Sequence, residues 1–182
     1  MKRLLISICA SALVALPAAA KAETKYPSDT VHIIVPFAAG GTTDILARLV
    51  AEHLHKTFGQ PFIIDNVVGA GSITGIAQLA RAKPNGLTIG VGSTSGLSIN
   101  PVLKPASVPY KPAKDLMPIA QFTRVPNALV VNPQTIKART MPELVAYLKA
   151  NPGKVSYGSS GVGTSQHLAA EWMKQSTGTQ ME

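Results

Sequence analysis

Two glycine-rich turns carry the residue types best suited to binding chemistry. The first, Val31 to Asp44, reads VHIIVPFAAGGTTD: an apolar run stops at Pro36, passes Gly40-Gly41 and enters a helix start. A buried strand that delivers such a turn to a helix N-terminus presents unpaired backbone N–H groups and the positive end of the helix dipole. Together these hold a carboxylate or phosphate without any Lys or Arg. The second turn, Val155 to His167, reads VSYGSSGVGTSQH and is of the same kind. Two anion-holding turns in one chain imply capture of a small acidic molecule.

Other chemistries find less to work with. His53 and His55 are two apart on an expected helix, so they face different directions and cannot share a metal; no metal site is expected. His167 has two readings, a first-turn residue bonding a local backbone group or a ligand contact. Thr42 and Thr43 have two compatible ones, helix cap or ligand donor. Gly69-Ala-Gly71 and Gly90-Val-Gly92 fall short of a dinucleotide fingerprint, because Thr74 and Ser95 stand where the third glycine belongs. No glycine–lysine pair is followed directly by Ser or Thr, so there is no P-loop. The nucleophile elbow is also missing: Gly92 to Gly96 has Thr94 at its centre, and Gly158-Ser-Ser-Gly161 lacks one residue. With no nucleophile–base pair, no catalytic residue, no enzymatic activity and no cofactor are expected.

These turns need elements to hold them. Thr30 to Phe37 reads as a strand buried on both faces, because apolar residues run on rather than alternate. Thr42 or Thr43 is the expected N-cap of a helix with Asp44 in its first turn. Leu46, Leu49, Val50, Leu54 and Phe58 mark its inner face, and Gly59 closes it. Phe62 to Ile64 reads as a second strand, Ser72 to Ala82 as a second helix ended by Pro84-Asn85-Gly86, and Leu87 to Val91 as a third strand. This β-α-β-α-β order predicts a parallel sheet covered by helices.

Pro101 to Pro118 reads as an ordered surface loop, and Ile119 to Asn132 as a long strand or strand pair with Pro126 at a bend or edge. Pro142 to Ala150 reads as a helix, Val155 to Tyr157 as a strand, and Ser165 to Gln175 as another helix, with Trp172 in the core. Three strand ends carry small-residue turns: Ala38 to Thr43, Gly92 to Gly96, and Gly158 to Thr164. Ligands of open α/β sheets lie beyond such ends. If two sheets face one another, the three turns converge on one cleft.

The N-terminus has its own pattern. Lys2 and Arg3, the apolar Leu4 to Leu16, and Ala20-Lys21-Ala22 form a Sec-type signal peptide, cut after Ala20 or Ala22, so residues 1–22 are expected to be removed on export. Cys9, the one cysteine, lies in this leader, and no disulfide is expected in the mature chain. The formal charge of +8 loses three cations with the leader and becomes +5. The remaining cations are scattered, Arg48 and Arg81 reading as solvated, which argues against nucleic acid. A monomer is expected.

In order along the chain, VPFAAGGTTDILAR, DNVVGAGS, the Asn127-Ala-Leu-Val-Val-Asn-Pro133 segment and NPGKVSYGSSGVGTSQHLAAE resemble the solute-binding proteins of tripartite tricarboxylate transporters, the Bug receptor family. The resemblance runs from Tyr26-Pro27 to the end of the chain. It implies an α/β fold of the type II periplasmic-binding-protein kind, two α/β domains around a cleft, here residues 23–122 and an incomplete 123–182. It implies a periplasmic receptor that passes a small organic carboxylate to transporter membrane subunits. Carried over by motif, the ligand residues are Phe37, Ala38, Gly40, Gly41, Thr43 and Asp44 on one side. Ser159, Ser160, Thr164 and His167 lie on the other, with Ser93, Thr94, Ser95 and Asn127 between.

Three positions depart from the family pattern: Val67-Val68 where a basic residue and proline are common, Lys111 where an acid is common, and Val162 where asparagine is common. Val162 lies in the ligand loop and so bears on substrate class. Family members continue well beyond this point, so the chain reads as a C-terminally truncated receptor. Two rival readings stand beside transport: a sensory or degenerate receptor, and an exported α/β enzyme acting on a small acid.

Overall fold

A computed structural model describes residues 25–182; the expected leader and Cys9 lie outside the described residues. Strand β1 (Val31–Val35) is central, flanked by β2 (Phe62–Asn66) and β3 (Thr88–Gly90) in the order β2-β1-β3, both pairings parallel. The register sets Ile33 beside Ile64 and Ile89. Helix α1 (Thr42–Phe58) and helix α2 (Ile73–Ala80) make the two crossovers. The expected β-α-β-α-β order and its parallel sheet are therefore present.

Both faces of β1 are covered, which is why its sequence does not alternate. Ile33 and Val35 pack with Ala47 and Ala51 of α1 and Val91, while Ile73, Ile76 and Ala77 of α2 form a second cluster with Tyr110. His32 is the exposed exception, its Nδ1 2.8 Å from Asp65 Oδ2.

Several expectations need correction. The strand is shorter than Thr30 to Phe37, and α1 is capped by Gly41, with no side-chain cap bond, rather than by Thr42 or Thr43. The inner stripe of α1 is Asp44, Ala47 and Ala51. Leu46, Val50, Leu54 and Phe58 flank it half-buried, and Leu49 is exposed, because small residues let the helix lie close on the sheet. Gly59 does end the helix, at φ 73°, its N–H donating to the His55 carbonyl. The proline-rich stretch contains short helices α3 (Asn100–Leu103) and α4 (Pro112–Asp115).

Residues 119–132 form no strand; residues 119–130 run exposed, Val131 is half-buried, and none has a ladder partner among the described residues. An alternating pattern marks a strand only where another strand supplies its hydrogen bonds.

A separate cluster forms in residues 131–181. Helix α5 (Met141–Ala150) buries Leu144 and Leu148, which pack with Met181 and with Val131, Val155, Tyr157 and Met173. Thr140 caps α5 by accepting from Glu143 N, while the Glu143 carboxylate accepts from Arg139 N. Helix α6 (Ser165–Thr177) adds Met173 to this cluster. Trp172, one step round the helix, points outward and is 72% exposed, contrary to its expected core role. Val155 to Tyr157 is not a strand element. Its backbone does bond the chain's last residues, with Glu182 N donating to Val155 O and Tyr157 N to Glu182 O, a parallel pairing pattern.

Candidate functional site

The first turn is open to solvent. Ala38, Gly40 and Gly41 are exposed and Phe37 and Thr43 half-buried. Gly40 adopts φ 79°, which lets the chain reverse between β1 and α1, and the Gly41 N–H donates to Ala38 O. No side chain caps α1, so its first N–H groups face outward with the positive end of a 17-residue helix behind them.

Asp44 does not face outward. It is 2% exposed, and its carboxylate accepts from Gly40 N (2.9 Å), Arg48 Nε (2.9 Å), Arg48 Nη2 (3.0 Å) and Asn66 Nδ2 (2.9 Å). The same Asn66 amide donates to Phe37 O. The Arg48 fork, then the Gly40 and Asn66 donors, hold this carboxyl far below the usual carboxylate range. Asp44 thus ties the turn to α1 and to the end of β2, and keeps its own charge inside. Arg48, read as solvated, is half of this pair.

The second expected turn, Gly92 to Gly96, leads into a π-helical turn (Ser95–Ile99) and then α3. Thr94 is exposed, Ser95 buried, and Ser93 Oγ is sealed without a partner. In the third, Ser159 Oγ accepts from Gly161 N, and Ser160 is exposed. Thr164 is 1% exposed: its hydroxyl donates to Gly161 O (2.7 Å) and accepts from His167 N, so it caps α6. His167 Nδ1 is buried and unpartnered. Asn127 Oδ1 accepts from Ser165 Oγ at 3.4 Å, tying the exposed segment to the start of α6.

Two residues outside the expected set join these turns. Ser72 and Asn100 are fully buried, and Ser72 Oγ and Asn100 Oδ1 have no partner. A Cβ on Gly96 would lie 2.6 Å from Ser72 Oγ, and one on Gly71 would lie 2.5 Å from Val162 O. The third turn therefore rests on the Gly69–Ser72 segment. No hydrogen bond among the described residues links the Phe37–Asp44 turn directly to the Gly158–His167 turn. The sequence signal for Ser72 was DNVVGAGS itself, a motif used for family resemblance and not for the site.

Two cavities lie away from the turns. One of about 540 Å³ runs along α1 and the outer edge of β2, lined by Arg48, Ala51, His55 and Phe62. Another, of about 390 Å³, sits at the strand starts beside Asp29, His32 and Lys83. Neither includes a residue of the three turns. Among the described residues, no cluster of three or more metal-binding side chains occurs, and no helix is long and apolar enough to cross a membrane.

Residues 46–182 match the family model described as "Tripartite tricarboxylate transporter family receptor". The chain is 40% identical over 175 residues to a UPF0065 protein of Bordetella pertussis, covering 96% of this chain and 53% of that protein. It superposes on the R. palustris protein Rpa4515 with adipate at a TM-score of 0.82 and 33% identity, covering 86% of this chain and 52% of that one. It superposes on MatC of Rhodopseudomonas palustris with bound malate at 0.73 and 27% identity, covering 86% and 53%. The chain spans about half the length of the curated relatives it matches.

Proposed function

Because this chain belongs to the tripartite tricarboxylate transporter receptor family, we propose that it is a periplasmic receptor that captures a small carboxylate and delivers it to the membrane subunits of such a transporter. The observation that carries the reading is the uncapped N-terminus of α1 behind an exposed Gly40-Gly41 turn. Its donors are backbone N–H groups, which read a carboxylate by charge and geometry. Adipate and malate, held by two structurally similar proteins, are both dicarboxylates and support that ligand class.

Capture works by preorganisation. Asp44, Arg48 and Asn66 fix the turn before ligand arrives, so ordering it costs little at binding. The Arg48 guanidinium paired with Asp44 offsets the acidic charge that would otherwise repel an incoming anion. The opposing contacts assigned to this reading are Ser159, Ser160, Thr164 and His167, with Ser93, Thr94, Ser95 and Asn127 between. Thr164 would act through the turn it caps, its hydroxyl being already bonded.

A thermal-shift panel of mono-, di- and tricarboxylates, adipate and malate included, tests the proposal on the full protein. At least one acid should raise Tm in proportion to its saturation. A response to sugars or cationic amino acids with none to acids overturns it. Genomic neighbours separate uptake from sensing: adjacent transporter membrane subunits support delivery, and an adjacent sensor kinase supports signalling.

A further inference from the structure

We infer that Asn100 is a positioning residue, a buried clasp that seats the Gly158–Thr164 turn against the Gly69–Ser72 turn. Its carboxamide lies between two backbones distant in sequence. On one side Nδ2 donates to Gly71 O at 2.8 Å. On the other, Gly163 approaches so closely that a Cβ there would overlap the carboxamide oxygen, and one on Gly71 would lie 3.2 Å from Nδ2. The side chain is fully buried. Any side chain larger than glycine at Gly163 would have to displace the Asn100 carboxamide from its place between the turns.

The turn that Asn100 holds is not one the chain adopts freely. Gly69, Ala70, Gly71 and Ser72 all have positive φ, at 144°, 47°, 61° and 80°. Such a run persists only where surrounding contacts over-determine it, and Ala70 and Ser72 each bear the strain of a non-glycine residue there. The Asn100 amide supplies one of those contacts. Asn100 also begins α3, directly after the Ser95–Ile99 turn, so that turn, Gly69–Ser72 and Gly158–Thr164 meet at this one residue. The carboxamide holds one turn by the Nδ2 hydrogen bond and the other by close packing of its oxygen against Gly163.

The bearing of the clasp on ligand capture rests on the proposed function, but its test does not need a ligand. Spin labels at His53→Cys on α1 and Trp172→Cys on α6, in a Cys9→Ser background of the full protein, report the separation of the two parts. A control pair at His53→Cys and Lys83→Cys reports the first part alone. The parent should give one narrow separation; Asn100→Ala and Gly163→Ala should each broaden or shift it while leaving the control pair unchanged. In the double variant, Gly163→Ala should add less than it does alone, because the overlapping oxygen is gone. Unchanged separations in both single variants, strictly additive effects, or a collapse of the control pair would each overturn the assignment.

Discussion

Arg48 grips Asp44 with a two-point fork one helical turn away, Nε on Oδ2 at 2.9 Å and Nη2 on Oδ1 at 3.0 Å. The pair spans the boundary of the fold: the Asp44 side chain is 3% exposed and that of Arg48 54%. The remaining lone pairs of Asp44 take Gly40 N–H and Asn66 Nδ2, so one carboxylate joins turn, helix and sheet. Arg48→Lys should lower Tm and weaken carboxylate affinity, since an ammonium cannot reproduce the fork. Asp44→Ala should cost more, leaving the guanidinium, Asn66 and the Gly40 N–H without their acceptor. Melting curves of the three proteins check the order.

Acid should loosen the same turn. The folded pKa of Asp44 is depressed by Arg48 first, and by Gly40 and Asn66. Its contribution to stability is therefore complete above the unfolded value of about 3.9 and is lost as pH falls below it toward the folded value. Chemical denaturation between pH 6 and about 2.5 should show this loss in the parent, and a flatter profile in Asp44→Asn. Equal slopes would remove Asp44 from the acid response.

Gly40→Val isolates backbone conformation. A Cβ at Gly40 meets nothing within 4 Å, yet φ is 79°, a region that costs an L-residue roughly 1–2 kcal/mol. A β-branched side chain should displace the turn, weakening carboxylate binding roughly tenfold, about 1.4 kcal/mol, while the sheet remains folded. Calorimetry with a responding acid, beside circular dichroism, checks both halves. Unchanged affinity would place the anion elsewhere.

Gly75→Ala should destabilise although alanine is the better helix former. The new Cβ would lie 2.8 Å from both Pro36 Cβ and Val67 O, where α2 crosses the end of β1. Overpacking of this kind costs about 1–3 kcal/mol. A higher Tm would show that α2 can move away freely.

Much of the fold was legible along the chain. Continuous apolar residues marked β1 as covered on both faces, and Gly59 announced a helix end where it occurs. The failures share a cause. Residues 119–132 have a strand's alternation but no partner among the described residues, and Trp172 has a core residue's chemistry but the wrong azimuth on α6. Each needed knowledge of a neighbour that periodicity cannot supply. At the candidate site the turns were legible from glycine spacing, whereas Arg48 read as solvent-facing until Asp44 was seen buried beneath it.

By itself the sequence determined the local order of strands, turns and helix starts, and an ordered set of motifs that identifies the family. Glycine placement, apolar period and turn chemistry act over a few residues, so they survive without a structure. Tertiary structure decided which polar groups meet. Asp44 with Asn66, and Gly71 with Asn100 and Gly163, are joined by packing across long stretches of chain. Their role follows from burial, which removes water as a competing partner and leaves each donor and acceptor to be satisfied within the fold.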